Sequence, residues 1–417
     1  AKFGLSVPAI LEALDHLKKA KLLPLVKMVH YHIGSQISDI KKITNGIREA
    51  ARLYCEIKKL RVNLKFLDVG GGMGIDYDGT QSSSSMSANY DMTEYANAVT
   101  YTIKTICDDE GVAHPEIITE AGRAITAYHS LLVTEVVERA QLSADPAEIT
   151  VRDNDPLPVI ELKESYDTLG PKTYLEEYHD ALTHRDDLMS LFNLGQINME
   201  TRARGELLFR AICRKALKFM KKEDRVEDIE EELGDVKKIL AHKYVTNYSL
   251  FQSTPDVWGI NQLFPIAPIH RLAEEPKETG TLVDLTCDSD GEVKEFIDAR
   301  DTKDVLEVHP PNGDPYYLGF FMLGAYQDVL GNFHNLYGPT NEAFVHLNRD
   351  GSWKITKIVR GSTSQEMLTH MNWESKELLQ MVEKLTLDMQ GQLPPQVSKE
   401  FMRRFRRTLQ GYVYLSS

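Results

Sequence analysis

Apolar and polar positions along the first 125 residues follow two periods, one near 3.6 residues and one near 2. Pro8 to Leu23 sets Ile10, Leu11, Leu14 and Leu17 on one face and predicts an amphipathic helix. Leu25 to Val29 is a short apolar run ending in His30-Tyr31-His32, which reads as a strand. From Asp39 to Leu60, Ile43, Ile47, Ala50, Ala51, Tyr54 and Ile57 share one helical stripe. Lys65 to Val69 reads as a second strand, Thr93 to Glu110 as a helix, and Glu116 to Thr119 as a third strand. Strand, polar turn and helix in succession predict parallel βα units, which carry their sites at the C-terminal ends of the strands.

Beyond residue 130 the pattern changes. Ser130 to Val137 alternates like a strand of a different sheet, and Tyr166 to Tyr244 is helical and densely charged. Within it, residues 221–238 read as a solvated helical face. Val245 to Ile358 offers short strands between Gly, Pro and Asn turns, as in a β domain. Helices and a closing strand, Gly411 to Leu415, end the chain. The predicted divisions are 1–129 (βα units), 130–165 (first strands of the β domain), 166–244 (helical insertion), 245–372 (β domain) and 373–417 (C-terminal helices and closing strand). The fold class is thus α/β plus β.

Composition narrows the partners. With 42% hydrophobic and 26% charged residues the chain suits a multi-domain globular protein. Its net charge of −14 turns it away from nucleic acid and anionic membranes. No apolar run has the length of a bilayer span, and Ala1 to Ser6 lacks the layout of a signal peptide. Cysteines 55, 107, 213 and 287 show no CxxC spacing, so neither a disulfide framework nor a zinc site is expected, and a reducing cytoplasm is the simplest home.

The chemistry gathers at strand ends. Gly70-Gly71-Gly72-Met73-Gly74 lets backbone approach a ligand and offers N–H groups to an anion. Glu120-Ala121-Gly122-Arg123 presents a carboxylate and a guanidinium, the latter suited to phosphate. Strand alternation puts His30 and His32 on one face, either as a metal pair, a base or a ring stacked on a planar ligand. No third ligand has a recognisable spacing, which leaves any metal unknown and favours stacking. Tyr326, in Gly324-Ala325-Tyr326-Gln327, is a phosphate donor or a core residue. Cys287 follows the apolar run Thr281 to Leu285 and stands beside Asp288 and Asp290, a poor place to bury a thiol and a good one to present a proton.

The ordered set HxHIGS, GGGxG, ExGR, CDxD and GAY resembles the pyridoxal-phosphate decarboxylases of the alanine-racemase-like fold type. Within them the nearest likeness is to the biosynthetic arginine decarboxylases. Lys2-Phe3-Gly4, Asp68 to Tyr77, Ser249 to Ser253, Gln262 to Pro265 and His334 to Gly338 also match. The resemblance implies the C-terminal part of a pyridoxal-phosphate-binding (β/α)8 TIM-like barrel, then a β-sandwich or barrel domain with a helical insertion. It also implies pyridoxal 5′-phosphate as cofactor, magnesium, an amino-acid substrate, and a homodimer or homotetramer with composite active sites. By resemblance His32 stacks on the pyridine ring, and Ser35, Gly70, Gly71, Gly72, Gly122, Arg123 and Tyr326 hold the phosphate. Glu120 pairs with the pyridine nitrogen, and Asp68, Gly74, Asp76 and Tyr77 line the substrate. Asp288 and Asp290 face its cationic end, and Cys287 returns a proton to Cα, giving agmatine from arginine.

Two departures bear on this reading. The family's cofactor-binding lysine has no matching context here and is expected upstream of the part matching Ala1. Ornithine decarboxylases carry a further Asp in the segment resembling Val245 to Ser253, where this chain has Thr246-Asn247-Tyr248-Ser249. That pocket end suits a guanidinium better than a short ammonium. The alternatives are an ornithine, lysine or diaminopimelate decarboxylase, and a catalytically inactive regulatory homologue.

Overall fold

The architecture, given by a computed structural model that describes residues 3–140, 149–152, 154–220, 227–298, 302–310, 312–389 and 394–415, opens with βα units. Ser6 caps helix α1 (Val7–Lys19), and Pro8 fills its first turn, where a missing N–H costs nothing. The helix expected to reach Leu23 stops at Lys19, because Lys21 is left-handed (φ 61°) and Leu23–Leu25 tightens into a 3-10 turn. Strand β1 (Met28–His30), helix α2 (Ile40–Lys59), strand β2 (Phe66–Asp68), helix α3 (Met92–Asp109) and strand β3 (Glu116–Ile118) follow. The strands pair in parallel in the order β1-β2-β3, with Leu67 between Val29 and Ile117. Helices α2 and α3 bury Ile47, Tyr54, Val99 and Ile103 in one core with Leu67. A reciprocal capping box of Asp91 and Glu94 starts α3.

Helix α4 (Gly122–Thr126) leads to strand β4 (Leu132–Ala140), which starts and ends later than the expected Ser130 to Val137. Helices α5 (Leu157–Thr168), α6 (Tyr174–Asn193), α7 (Met199–Met220) and α8 (Glu227–Leu240) then form a bundle with its own core, including Leu162, Leu188, Leu208 and Ile212. The bundle begins ahead of the expected Tyr166. The stretch 130–165 is expected to hold the first strands of the β domain, yet Pro156 and Pro158 occupy the N-cap and first turn of the helix α5. The bundle also yields early to strand β5 (His242–Thr246), which pairs antiparallel with β4 through Tyr244 opposite Arg139. Of the solvated face expected over 221–238, residues 221–226 lie outside the described residues.

Short elements complete the β domain: α9 (Leu250–Ser253), α10 (Pro255–Ile260), β6 (Ile266–Pro268), β7 (Glu278–Val283), β8 (Glu292–Val293), β9 (Phe296–Ile297), β10 (Thr302–Lys303), β11 (Leu306–Val308), β12 (Tyr316–Phe320) and α11 (Gln327–Leu330). A mixed sheet runs β11-β7-β5-β4-β12-β6, with β8 added on β7. The bundle is therefore inserted between two strands that are direct neighbours. Tyr244, Leu282, Leu318 and Phe320 share a core with Ile75, Tyr77 and Ala127, which seats the sheet on the βα units.

An exposed hairpin of β13 (Glu342–Leu347) and β14 (Trp353–Val359) precedes helices α12 (Ser364–His370), α13 (Ser375–Asp388) and α14 (Pro395–Leu409). The closing strand expected over Gly411 to Leu415 is an isolated bridge from Tyr412 to Thr363. Its anchors are side chains instead: Tyr414 stacks on Tyr337 at 5.1 Å and donates its hydroxyl to the Gly338 carbonyl at 2.8 Å. No described helix is long and apolar enough to cross a membrane.

Candidate active site

The C-terminal ends of β1, β2 and β3 bring together most of the residues singled out from the sequence. At the end of β2, Gly70 takes φ +64°, and a Cβ there would lie 2.1 Å from the Tyr31 carbonyl oxygen. Only glycine allows that approach, which lets the turns after β1 and β2 touch. The Gly70 N–H donates to Asp68 Oδ1 (2.9 Å) and the Gly71 N–H to His32 Nδ1 (3.1 Å). These two N–H groups, read from the sequence as free for an anion, are thus committed inside the protein. Their bonds fix the carboxylate and the imidazole ring. His32 lies past the end of β1, so strand alternation does not put it on a face with His30; its ring is aimed by Gly71 instead.

His30 bonds Asp68, which is 3% exposed, through Nδ1 and Oδ2 at 2.9 Å. With Glu120 these side chains offer ligand atoms within 4.8 Å of one another. Glu120 is anchored by its backbone, its N–H donating to the Gly70 carbonyl at 2.7 Å.

Arg123 is the strongest electrostatic feature. The residue is only 7% exposed, yet no carboxylate pairs with it among the described residues. Its Nη1 donates to the Tyr77 hydroxyl (3.0 Å), and Nε and Nη2 reach Ser35 Oγ at 3.4 and 3.3 Å. The Tyr326 ring covers the guanidinium, 4.9 Å from its centroid. A buried cation with neutral partners alone is a site prepared for an anion. Tyr326 comes from the β domain, with φ +71°, an uncommon conformation for a bulky residue. The neighbouring Gly324 sets its place, since a Cβ there would lie 1.8 Å from the Thr126 carbonyl oxygen.

Tyr77 is buried, its ring edge-on to Phe264 at 5.6 Å, and burial pushes its hydroxyl pKa upward. Gly74 donates its N–H to Tyr90 (2.8 Å), and Asp76 accepts from Ser87 Oγ (2.7 Å). Gly122 opens α4, its N–H donating to the Glu120 carbonyl at 2.7 Å.

Cys287 belongs to a separate turn after β7. The organising residue, which sequence reading missed, is Asp284, 5% exposed. Its Oδ1 accepts from the N–H and hydroxyl of Thr286 (both 2.8 Å), and its Oδ2 accepts from the Leu250 N–H (2.8 Å). Burial raises its carboxyl pKa, opposed by those same bonds. An Asp two residues before a Thr after a strand is the sequence signal of such a turn. Cys287 is exposed at the tip, whereas Cys55, Cys107 and Cys213 are buried. Burial pushes the Cys107 and Cys213 thiols up to about 12. Asp288 Oδ1 accepts the Asp290 N–H at 2.9 Å, and Asp290 pairs with Lys294 at 3.0 Å. Asp290 also lines a cavity of about 320 Å³ with Trp258, Phe264 and Glu292.

A family profile described as the pyridoxal-binding domain of pyridoxal-dependent decarboxylases matches residues 1–127, and one described as the arginine decarboxylase helical bundle domain matches 152–234. Along its whole length the chain is 42% identical to a biosynthetic arginine decarboxylase of Nostoc sp. and 41% identical to one of Deinococcus radiodurans. It spans 61% and 63% of the length of those relatives. All of it superposes on the crystal structure of the biosynthetic arginine decarboxylase SpeA from Campylobacter jejuni, covering 68% of that chain at 31% identity with a TM-score of 0.86. A diaminopimelate decarboxylase at 13% identity and a TM-score of 0.51 shares the fold.

Proposed function

This chain belongs to the biosynthetic arginine decarboxylase family of pyridoxal-dependent decarboxylases, and from that premise we propose that the full-length protein converts L-arginine to agmatine and CO2, feeding polyamine synthesis. The observation that carries the cofactor reading is the buried, acid-free Arg123 at the end of β3. Whole-length identity to arginine decarboxylases and the matched helical bundle support arginine as substrate.

The residues present fit pyridoxal phosphate. Arg123, Ser35 and Tyr326 would hold its phosphate, with Gly70, Gly71, Gly72 and Gly122 as the backbone wall. His32 would stack on its ring and Glu120 keep a proton on its ring nitrogen. Bound there, the cofactor supplies an electron sink for the pair left when the carboxylate departs as CO2. Cys287 then gives its S–H proton to the carbon that carried the carboxylate. The C–H bond forms, and the thiolate left behind recovers a proton from solvent. Asp288 and Asp290 pair with the guanidinium, and Asp68, Gly74, Asp76 and Tyr77 form the wall behind the substrate.

Because Cys287 is exposed at the tip of its turn, we assign it to a neighbouring subunit's site, in a dimer or a dimer of dimers. Free cysteines suit a cytoplasmic setting. Magnesium enters by resemblance alone. The His30–Asp68–Glu120 group includes an imidazole nitrogen, which magnesium disfavours.

The test offers the full-length protein arginine, ornithine, lysine and diaminopimelate, each labelled at the carboxylate. A preference for arginine in kcat/KM of about tenfold or more is expected, a difference of roughly 1.4 kcal/mol. Equal or faster release from another substrate would reassign it, and release from none would point to a regulatory homologue.

A further inference from the structure

The loop before the exposed hairpin reaches back to the turn that carries Cys287. His334–Leu336 form a 3-10 turn in which Asn335 takes φ 52°, ψ 24°, a left-handed conformation that asparagine tolerates better than most residues. There its side-chain amide spans Cys287. Oδ1 accepts the Cys287 N–H at 3.1 Å, and Nδ2 donates to Cys287 Sγ at 3.6 Å. One planar group thus grips both the backbone and the sulfur of a single residue.

The preceding residue addresses the next one in the turn. The His334 ring stacks on Phe251 with centroids 4.5 Å apart. Its Nε2 is shielded from solvent and makes no hydrogen bond among the described residues, and it lies 3.6 Å from Asp288 Oδ2.

We infer that His334 and Asn335 are positioning residues for the proposed reaction, Asn335 aiming the Cys287 thiol and His334 aiming the Asp288 carboxylate. The inference rests on the decarboxylase reading of Cys287 and Asp288. It explains why an exposed cysteine has a defined direction. It also divides the labour: Asn335 acts on proton delivery and His334 on substrate capture.

The experiment uses the full-length protein and two readouts, steady-state kinetics and amide hydrogen exchange at Cys287. Asn335→Gly removes the amide without straining the backbone. It should expose the Cys287 N–H, speeding its exchange about tenfold or more, and lower kcat on the order of 10- to 100-fold with KM little changed. Asn335→Asp keeps an acceptor for the Cys287 N–H but offers no donor to the sulfur, so exchange should stay slow while kcat falls. His334→Phe keeps the stack on Phe251 and should raise KM several-fold with kcat intact. Unchanged exchange in Asn335→Gly would overturn the clamp. Faster exchange with wild-type kcat would reduce Asn335 to a structural role and overturn the inference as well, as would a KM unmoved in His334→Phe. If the unmodified protein releases no CO2 from arginine, the proposed function itself fails, and the exchange data still report whether the clamp exists.

Discussion

Arg123 is held in a conflict that a ligand resolves: it is buried, charged and surrounded by hydroxyls and an aromatic face. A phosphate would supply the missing negative charge, and a charge-assisted hydrogen bond contributes roughly 1.5–3 kcal/mol. Arg123→Met should therefore weaken pyridoxal phosphate binding roughly 10- to 100-fold, read by titrating the cofactor absorbance. Cys287→Ala should behave oppositely, leaving that absorbance intact while turnover falls on the order of 100-fold. Loss of cofactor binding in that variant would remove Cys287 from its role. Both residues were conspicuous in the sequence, since each follows a predicted strand. Their partners were not. That Gly71 aims His32, or that Asn335 holds Cys287, depends on contacts between segments far apart in the chain, whereas the Asp284 turn has a local signal in Asp284 and Thr286.

At the scale of elements, the close approach of the turns after β1 and β2 is the constraint most easily broken. Gly70→Ala would place a methyl 2.1 Å from the Tyr31 oxygen at a positive φ. It should cost on the order of 2 kcal/mol or more, lowering the denaturation midpoint and the cofactor affinity together. Strands β4, β5 and β7 meet at a second sensitive point, where Arg139 bonds Glu278 (2.6 Å) and approaches His242 (3.1 Å). Desolvation and the adjacent Arg139 lower the His242 pKa, so the folded state resists protonating it. The unfolded chain binds that proton first as pH falls below about 6.5. Stability should thus decline from there down to the folded-state pKa, and His242→Gln should flatten this slope in denaturant titrations between pH 5 and 7. Periodicity located α2 and α3 closely because each has one buried stripe. It misjudged α5 because its opening prolines look like a turn, and β5 because its partners, β4 and β7, are set by tertiary pairing.

At the scale of the molecule, the sheet and the βα units share one core while the helical bundle has its own. The surroundings of Arg123 come from both sides of the shared core, since Tyr326 of the β domain covers Arg123 of the βα units. Cys287 stands exposed at the tip of its own turn, and the dimer proposed above would carry it to a neighbour's site. In the proposed reaction the assembled protein exchanges the carboxylate of arginine for a proton. Incubating the full-length protein with arginine and pyridoxal phosphate in D2O, and identifying the product by mass spectrometry and NMR, checks this exchange. Agmatine carrying a single deuterium on the carbon that held the carboxylate is expected, with one CO2 released per agmatine. Unchanged arginine, or a product that keeps its carboxylate, would contradict the exchange.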